Sequence, residues 1–486
     1  MKKITPILCL LILFLVQFSF AQNTLTVTTL DDESDSGATI GSPGGNGLSL
    51  REAISLSLSG DKVVFSNSLS GGTLTLTIAA GRDLDFSNKT LTIDGDTNGD
   101  GAPDITITGG TVDRVFDVFG GSATNLTLNS LNIINSTGIT NNGSDIDVVP
   151  TPFAGQNSGG GISIFGNSAG DRVSVTINKC RIKGNISQED GGGIDAENAN
   201  LDILNSLISE NALSGDSNAD DGAGLRIAAS VVTITNSTVA FNTAENPAGT
   251  GDGDADTIAG RGGFDIVSGS TLTITNSTIS GNVGRDDTTT EGDEITITGG
   301  SSPSTVTITN SIIGGEAQRN ATNNDITNDG SLTIDSNTFV TQSIVNNGTL
   351  IGTATQSNLA GIFDSTVTSN FTAPNALQLN GGVIETIKLA SGITAGAMPV
   401  LSTLGVEEKS LNNYVSIYPN PVLNELLIKT NNLNVEKVEL FNVLSKSINA
   451  LNIDNELINV SNISPGIYLL SIKTDKGTLT KRIIKN

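Results

Sequence analysis

One short phrase recurs through the middle of the chain and narrows what it can fold into. It reads VSVTIN at residues 173–178, LDILN at 201–205, VVTITN at 231–236, LTITN at 272–276 and VTITN at 306–310. The closing asparagines Asn178, Asn205, Asn236, Asn276 and Asn310 follow one another at intervals of 27, 31, 40 and 34 residues. A second phrase precedes four of them: GGGI at 159–162 and at 191–194, GAGL at 222–225 and GGF at 262–264. Turns bearing a further asparagine follow, at 182–185, 208–211 and 279–282. Fixed phrases separated by inserts of free length are the mark of a solenoid.

Inside each phrase the period is two. In 272–275, Leu272 and Ile274 point one way while Thr273 and Thr275 point the other. The β-branched residues suit a pleated surface. No helical pattern of 10–15 residues separates the strands, so a βαβ sheet fits poorly. Each strand must pair with the next coil, which makes an all-β, right-handed parallel β-helix with a shared apolar interior. The closing asparagines tolerate a left-handed corner and can hydrogen-bond to one another along the axis; an asparagine-lined groove is the alternative. The first coils are expected near 74–78 and 91–93. Ahead of them, 48–58 reads as an amphipathic helix. Ser49 and Glu52 have capping-box spacing, and Leu50, Ala53, Ile54 and Leu58 share a face. Such a helix would cover the open N-terminal end, as solenoids require.

These residues resemble a known group. Leu50-Arg51-Glu52-Ala53-Ile54, followed by Asp61-Lys62-Val63-Val64-Phe65, resembles the start of bacterial secreted right-handed parallel β-helix proteins. The Gly-Gly-Ile phrases with their asparagine turns resemble the repeats of polymorphic outer-membrane-type β-helices. Leu379-Asn380-Gly381-Gly382, with Ala390-Ser391-Gly392 and Ala395-Gly396, resembles that group's closing segment, although Ile387-Lys388 replaces a more usual His-Leu pair. The resemblance covers about residues 23–400 and implies the pectin lyase-like fold more than any activity.

After Gly405 glycine thins out, lysine becomes common, and all three tyrosines appear: Tyr414, Tyr418 and Tyr468. Alternating segments at 426–428, 435–441, 457–460, 467–472 and 479–484 predict a small antiparallel β-sandwich. Tyr418-Pro419-Asn420-Pro421, Val438-Glu439-Leu440-Phe441-Asn442-Val443, Ser464-Pro465-Gly466-Ile467-Tyr468 and Lys481-Arg482-Ile483-Ile484 closely resemble the type A C-terminal sorting domain of the type IX secretion system. Ser445-Lys446 stands where a glycine often makes the hairpin turn. The resemblance implies that residues 414–486 engage the type IX machinery, with export through the periplasm to the cell surface or beyond. An accessory immunoglobulin-like domain is the alternative.

At the other end, Lys2 and Lys3 precede the apolar run 7–20, and Ser19-Phe20-Ala21 places small residues at the −3 and −1 positions. This reads as a cleavable signal peptide, 1–21. No later segment is apolar enough to span a bilayer. The expected organisation is therefore signal peptide 1–21, β-helix 22–400, linker 401–413 and sorting domain 414–486. Once Cys9 leaves with the leader, Cys180 is the sole cysteine, so no internal disulfide forms.

The chain has 50 acidic and 25 basic residues. A surface this acidic repels nucleic acid and anionic membranes. With no histidine, Ser-His-Asp triads and histidine metal sites are excluded. The best ligand cluster is Asp94, Asp96, Asn98, Asp100 and Asp104, whose oxygens alternate around Gly99. Calcium takes six to eight oxygens in such loops, and the stretch resembles thrombospondin-type-3 and dockerin-like calcium loops, without the bidentate glutamate of an EF-hand. A solvated Asp/Gly turn is the alternative. Asp252, Asp254 and Asp256 form a second, weaker cluster. If the solenoid is a polysaccharide lyase or glycoside hydrolase, Arg181, Asp220 and Asp221 are the candidates, since Arg181-Ile182-Lys183 resembles a polygalacturonase triplet. That triplet precedes the carboxylate pair, the reverse of the family order. Residues 22–409 also contain no Trp or Tyr, the platforms that sugar subsites usually use. Asp256-Thr257-Ile258, Asp287-Thr288-Thr289 and Asp364-Ser365-Thr366 resemble O-glycosylation sequons of bacteria with type IX secretion. A non-catalytic, exported β-helix that contacts matrix or surface polysaccharide is the leading expectation.

Overall fold

The structure is a computed structural model and describes residues 23–77, 83–110, 114–136, 158–214, 221–244, 261–284, 292–315 and 324–400, together with most of 415–485. The leader, the 401–413 linker, Asp220, the Asp252–Asp254–Asp256 cluster, the sequons at 256 and 287, and Ser445-Lys446 lie outside the described residues.

Three long parallel sheets run the length of the solenoid, with 11, 9 and 10 strands among the described residues. Each coil gives one strand to each sheet in turn. The coil that opens with Val231–Thr235 in the first sheet continues with Thr238–Ala240 in the third and Phe264–Val267 in the second. Register is held by like residues. On the first sheet Val63, Ile93, Leu128, Ile177, Ile203, Ile234, Ile274 and Ile308 form one continuous row. All of them are buried in one core. At about 1.5–3 kcal/mol for each buried aliphatic side chain, these rows are the main stabilising force, and a one-residue slip would turn each of them outward.

The asparagines that close the strands behave as the repeat predicts, with one correction. Asn205, Asn236, Asn276 and Asn310 sit at φ of 51, 47, 51 and 48°. In the coil of Asn178 the corner falls one residue later, on Lys179 at φ 54°, because Asn178 remains paired in its strand. Asn178 still joins the ladder: its Nδ2 donates to Asn129 Oδ1 at 3.2 Å, Asn205 Nδ2 donates to Asn178 Oδ1 at 3.1 Å, and Asn236 Nδ2 to Asn205 Oδ1 at 2.9 Å. The turn asparagines make a second ladder in the interior. Asn185, Asn211, Asn242 and Asn282 are all fully buried. The Nδ2 of each of the first three donates to the Oδ1 of the next at 3.0, 2.9 and 2.8 Å. Glu294, itself buried, ends the series by accepting from Asn282 Nδ2 at 2.5 Å and Gly281 N at 2.7 Å. Within the glycine phrases a Cβ on Gly161 would lie 2.7 Å from the Gly193 carbonyl, so the close approach of coils there requires glycine.

The helix spans Leu50–Leu56 and carries the full capping box between Ser49 and Glu52. Leu50, Ala53 and Ile54 enter the solenoid core. Leu58 does not share that face: it lies past the helix end and is 67 % exposed. The solenoid also begins earlier than expected. Thr24–Val27 and Asp61–Phe65 already pair in parallel as rungs of the first sheet, and the helix is inserted between them. A four-residue strand has too few alternations to stand out in sequence.

Residues 359–400 fold back along the third sheet. Gly396 N donates to Asn310 O at 2.9 Å, Ala397 N to Thr278 Oγ1 at 2.9 Å and Met398 N to Asn236 Oδ1 at 2.8 Å. Ile362, Phe363, Phe371 and Ile384 pack with Leu207, Ala240 and Ile312 of that sheet in a second apolar cluster. The C-terminal module forms antiparallel sheets of four and three strands around Leu426, Ile428, Leu440, Leu470, Ile472 and Ile483, as the alternating segments predict. Tyr468 donates its hydroxyl to Ser464 O at 2.8 Å. Among the described residues no helix is long and apolar enough to cross a membrane.

Candidate functional site

The strongest concentration of chemistry lies on the outward face of the second sheet. Asp85, Asp117, Ser163, Asp195, Arg226, Asp265, Thr296 and Thr327 occupy a single in-register row. They alternate with core residues such as Ile194 and Ala196, Leu225 and Ile227, Phe264 and Ile266. An outward row of charges would ordinarily be solvated. Here Asp117, Asp195 and Asp265 are all buried.

Burial forces these charges to pair. Arg226 reaches Asp190 at 2.9 Å, Asp195 at 3.1 Å and Glu197 at 3.6 Å. Arg261 bridges Asp221 at 2.6 Å and Asp265 at 2.8 Å. Arg114 lies 3.3 Å from Asp117 and 3.9 Å from Asp83. Desolvation pushes Asp190 up to about 7, with Arg226 opposing the rise and Asp195 and Asp221 adding to it. Burial also raises Asp195, against the pull of Arg226. Burial disfavours the Arg226 cation, yet Asp195 and Asp190 more than offset this and hold it charged. Asp85 is pushed up to about 6 by desolvation and then by Asp117, although part of its side chain still meets solvent. Asp190 thus holds a proton near neutral pH beside a fixed cation, which is one requirement for acid–base chemistry.

Sequence reasoning missed this row. A signal existed: Asp195, Arg226 and Asp265 each directly follow the apolar residue that ends a glycine phrase. The two described members of the proposed enzyme set, Arg181 and Asp221, lie beside different sheets. Arg181 lies on the third sheet, not pointing freely outward; it pairs with Glu385 and Asn132 and donates to Val383 O, fastening the returning segment. Lys183 pairs with Glu210 at 2.8 Å. Asp221 belongs to the Arg261 pair beside the second sheet.

The Asp94–Asp104 loop is described throughout. Asp94 bridges Lys62 at 2.8 Å. Asp96 accepts from Gly99 N at 2.6 Å and Gly101 N at 2.9 Å, Asn98 Oδ1 from Asp100 N at 2.8 Å, and Asp104 from Thr97 N at 2.9 Å. The oxygens hold the turn's own backbone donors. Among the described residues, three carboxylates come within 4.8 Å of one another only at Asp83, Asp85 and Asp117, a cluster that Arg114 partly neutralises. Cys180 is free and buried, with its thiol pushed up to about 12 by burial, so it is unreactive. Its N–H donates to Ser206 Oγ at 3.1 Å.

Fold and C-terminal module together define an exported parallel β-helix. Residues 416–486 match the family described as the secretion system C-terminal sorting domain. The chain therefore ends in a type IX sorting domain, which directs it to the type IX machinery and to export at the cell surface or into the medium. Among solved structures the chain is similar to the crystal structure of pectate lyase Pel9A, at 13 % identity and a TM-score of 0.43, over 79 % of this chain and 91 % of that one. No curated protein matches the chain.

Proposed function

We propose that this protein is a non-catalytic, exported β-helix that adheres to matrix or surface polysaccharide through the open face of its first sheet. The observation that carries the reading is the different fate of the three faces. The third sheet is covered by residues 359–400, and the second holds its charges in buried pairs. The first presents half-exposed Thr and Asn side chains along its length, Thr92, Thr127, Thr176, Thr233, Thr273 and Thr307 among them. Purified protein should bind extracellular matrix material without turning over plant or algal polysaccharides. Robust depolymerisation, read as new reducing ends or unsaturated products, would overturn this.

The raised Asp190 beside Arg226 favours one second reading, a polysaccharide lyase or hydrolase on the second sheet. In that case Asp190→Asn should abolish turnover, and Arg181→Ala should not.

Calcium at Asp94, Asp96, Asn98, Asp100 and Asp104 belongs to the same proposal, as a stabiliser of an early coil. Added Ca²⁺ should raise the melting temperature, since a ligand bound only by the folded state stabilises it by mass action. Asp96→Ala and Asp100→Ala should remove that increment. A melting temperature indifferent to millimolar Ca²⁺ rejects the site.

A further inference from the structure

The open face of the first sheet has a property that adhesion alone does not require: it is a lattice. Within the strands Val231–Thr235, Thr271–Thr275, Thr305–Thr309 and Ser331–Ile334 the outward positions carry no charge, although the chain as a whole has a net charge of −25. The first carboxylate beside them, Asp335, is engaged by Asn310 N and Thr338 Oγ1. Three successive rungs read VVTIT, TLTIT and TVTIT, and they pair in perfect register. Thr233, Thr273, Thr307 and Thr333 form the central row, with Thr271 and Thr305 in the row beside it. The core residues between them are buried, which anchors these strands to the interior. β-Branched threonine has few rotamers, which places each hydroxyl and methyl at a repeat set by the sheet. That repeat is about 4.8 Å between rungs and about 6.6 Å between alternate residues along a strand. On the edge row, the Thr275 and Thr309 hydroxyls are 3.1 Å apart and hydrogen-bonded.

We infer that this threonine lattice binds ice. The inference rests on the reading of the first sheet as the contact face and names its ligand. Ice differs from liquid water only in its periodicity, so a surface that distinguishes the two must itself be rigid and periodic. The spacing between rungs is close to one oxygen repeat on the prism faces of hexagonal ice. Each hydroxyl both donates and accepts, as a lattice water does, and each methyl sits where caged water can order around it. Charged side chains would impose their own hydration, and the Thr233, Thr273, Thr307 and Thr333 row has none. A polysaccharide crystal is the competing ligand, but sugar-binding faces are usually built on aromatic rings, and the patch has none of these either. Export places the face in contact with external water.

The full chain is frozen slowly into a growing ice hemisphere, and the protein in ice and in liquid is measured. Recrystallisation of fine ice is followed in parallel under the microscope. Wild type should be enriched in the ice at least tenfold over a bovine albumin control and should arrest grain growth. Thr273→Lys with Thr307→Lys should lose both effects at unchanged circular dichroism and melting temperature, while Ser369→Lys on the returning segment should retain them. Wild type excluded from ice as albumin is, or a double variant that still partitions, overturns the inference. A parallel sedimentation with crystalline cellulose and chitin separates the two claims. Binding there through the same threonines, with exclusion from ice, overturns the ice assignment and leaves adhesion standing; failure on ice, on both polymers and on matrix removes both.

Discussion

Asn211→Leu should cost about 4 kcal/mol, the largest loss expected from a single substitution away from the aliphatic core. Asn211 is fully buried. Its Oδ1 accepts from both Asn185 N and Asn185 Nδ2 at 3.0 Å, and its Nδ2 donates to Ile182 O at 3.1 Å and Asn242 Oδ1 at 2.9 Å. Leucine has nearly the same volume but strands these partners in the interior. Each buried group left unmatched costs about 1–3 kcal/mol, and the whole protein has only some 5–15 kcal/mol to lose. Because neighbouring coils support one another in a solenoid, the damage should spread to the coils on either side. Urea denaturation of wild type and variant measures the difference, and a loss under about 1 kcal/mol would show that the ladder is not a stabilising element. Asn98→Leu on the exposed loop turn provides the contrast: it loses one hydrogen bond to Asp100 N that water can replace.

The second large effect is on pH dependence. Asp190 titrates at about 7 in the folded protein, against an ordinary aspartate near 3.8. Between these values the folded chain holds a proton that the unfolded chain has released. Stability therefore falls as pH rises from about 4 to 7 and levels off above. Asp85, raised to about 6, acts in the same direction over a narrower window. Asp364 is held at about 2 by hydrogen bonds from Thr366, so its contribution is lost only at acid pH outside this window. A rise from 3.8 to about 7 corresponds to a ceiling of about 4 kcal/mol. Asp190 remains partly open to solvent and shares its environment with Asp195, so about 2 kcal/mol is the expected size. Denaturation midpoints should be higher at pH 5 than at pH 8. Asn at this position mimics the protonated acid, so Asp190→Asn should raise the midpoint at pH 8 and flatten the profile. A variant as pH-dependent as wild type would mean that the proton resides elsewhere.

Much of this architecture was written in local pattern. The VTITN phrases specify two-residue alternation, and the same phrase in each coil brings Ile234, Ile274 and Ile308 into one row without any knowledge of the loops between. The capping box at Ser49 and Glu52 is likewise complete within four residues. The sorting module is legible because its motifs lie in order within a short span. Boundaries were less so. Lys179 takes the corner that Asn178 seemed to occupy, since the strand there runs one residue further.

What the sequence could not show is which outward residues become buried. Asp195, Arg226 and Asp265 look like ordinary solvent-facing alternates along their own strands. They become a desolvated charge network only when successive coils stack them in register and partners arrive from elsewhere, such as Arg261 on Asp221. Nothing near Glu385 announces that it will reach Arg181, some two hundred residues earlier in the chain. Period and turn chemistry act over a few bonds and are printed in the residues themselves; burial, and the proton affinities that follow from it, depend on which distant surfaces come together. The sequence by itself determined a threonine-faced solenoid and its export address, and the tertiary structure alone decided that, among the described residues, one face is left uncovered, one holds paired charges, and one is covered by the returning chain.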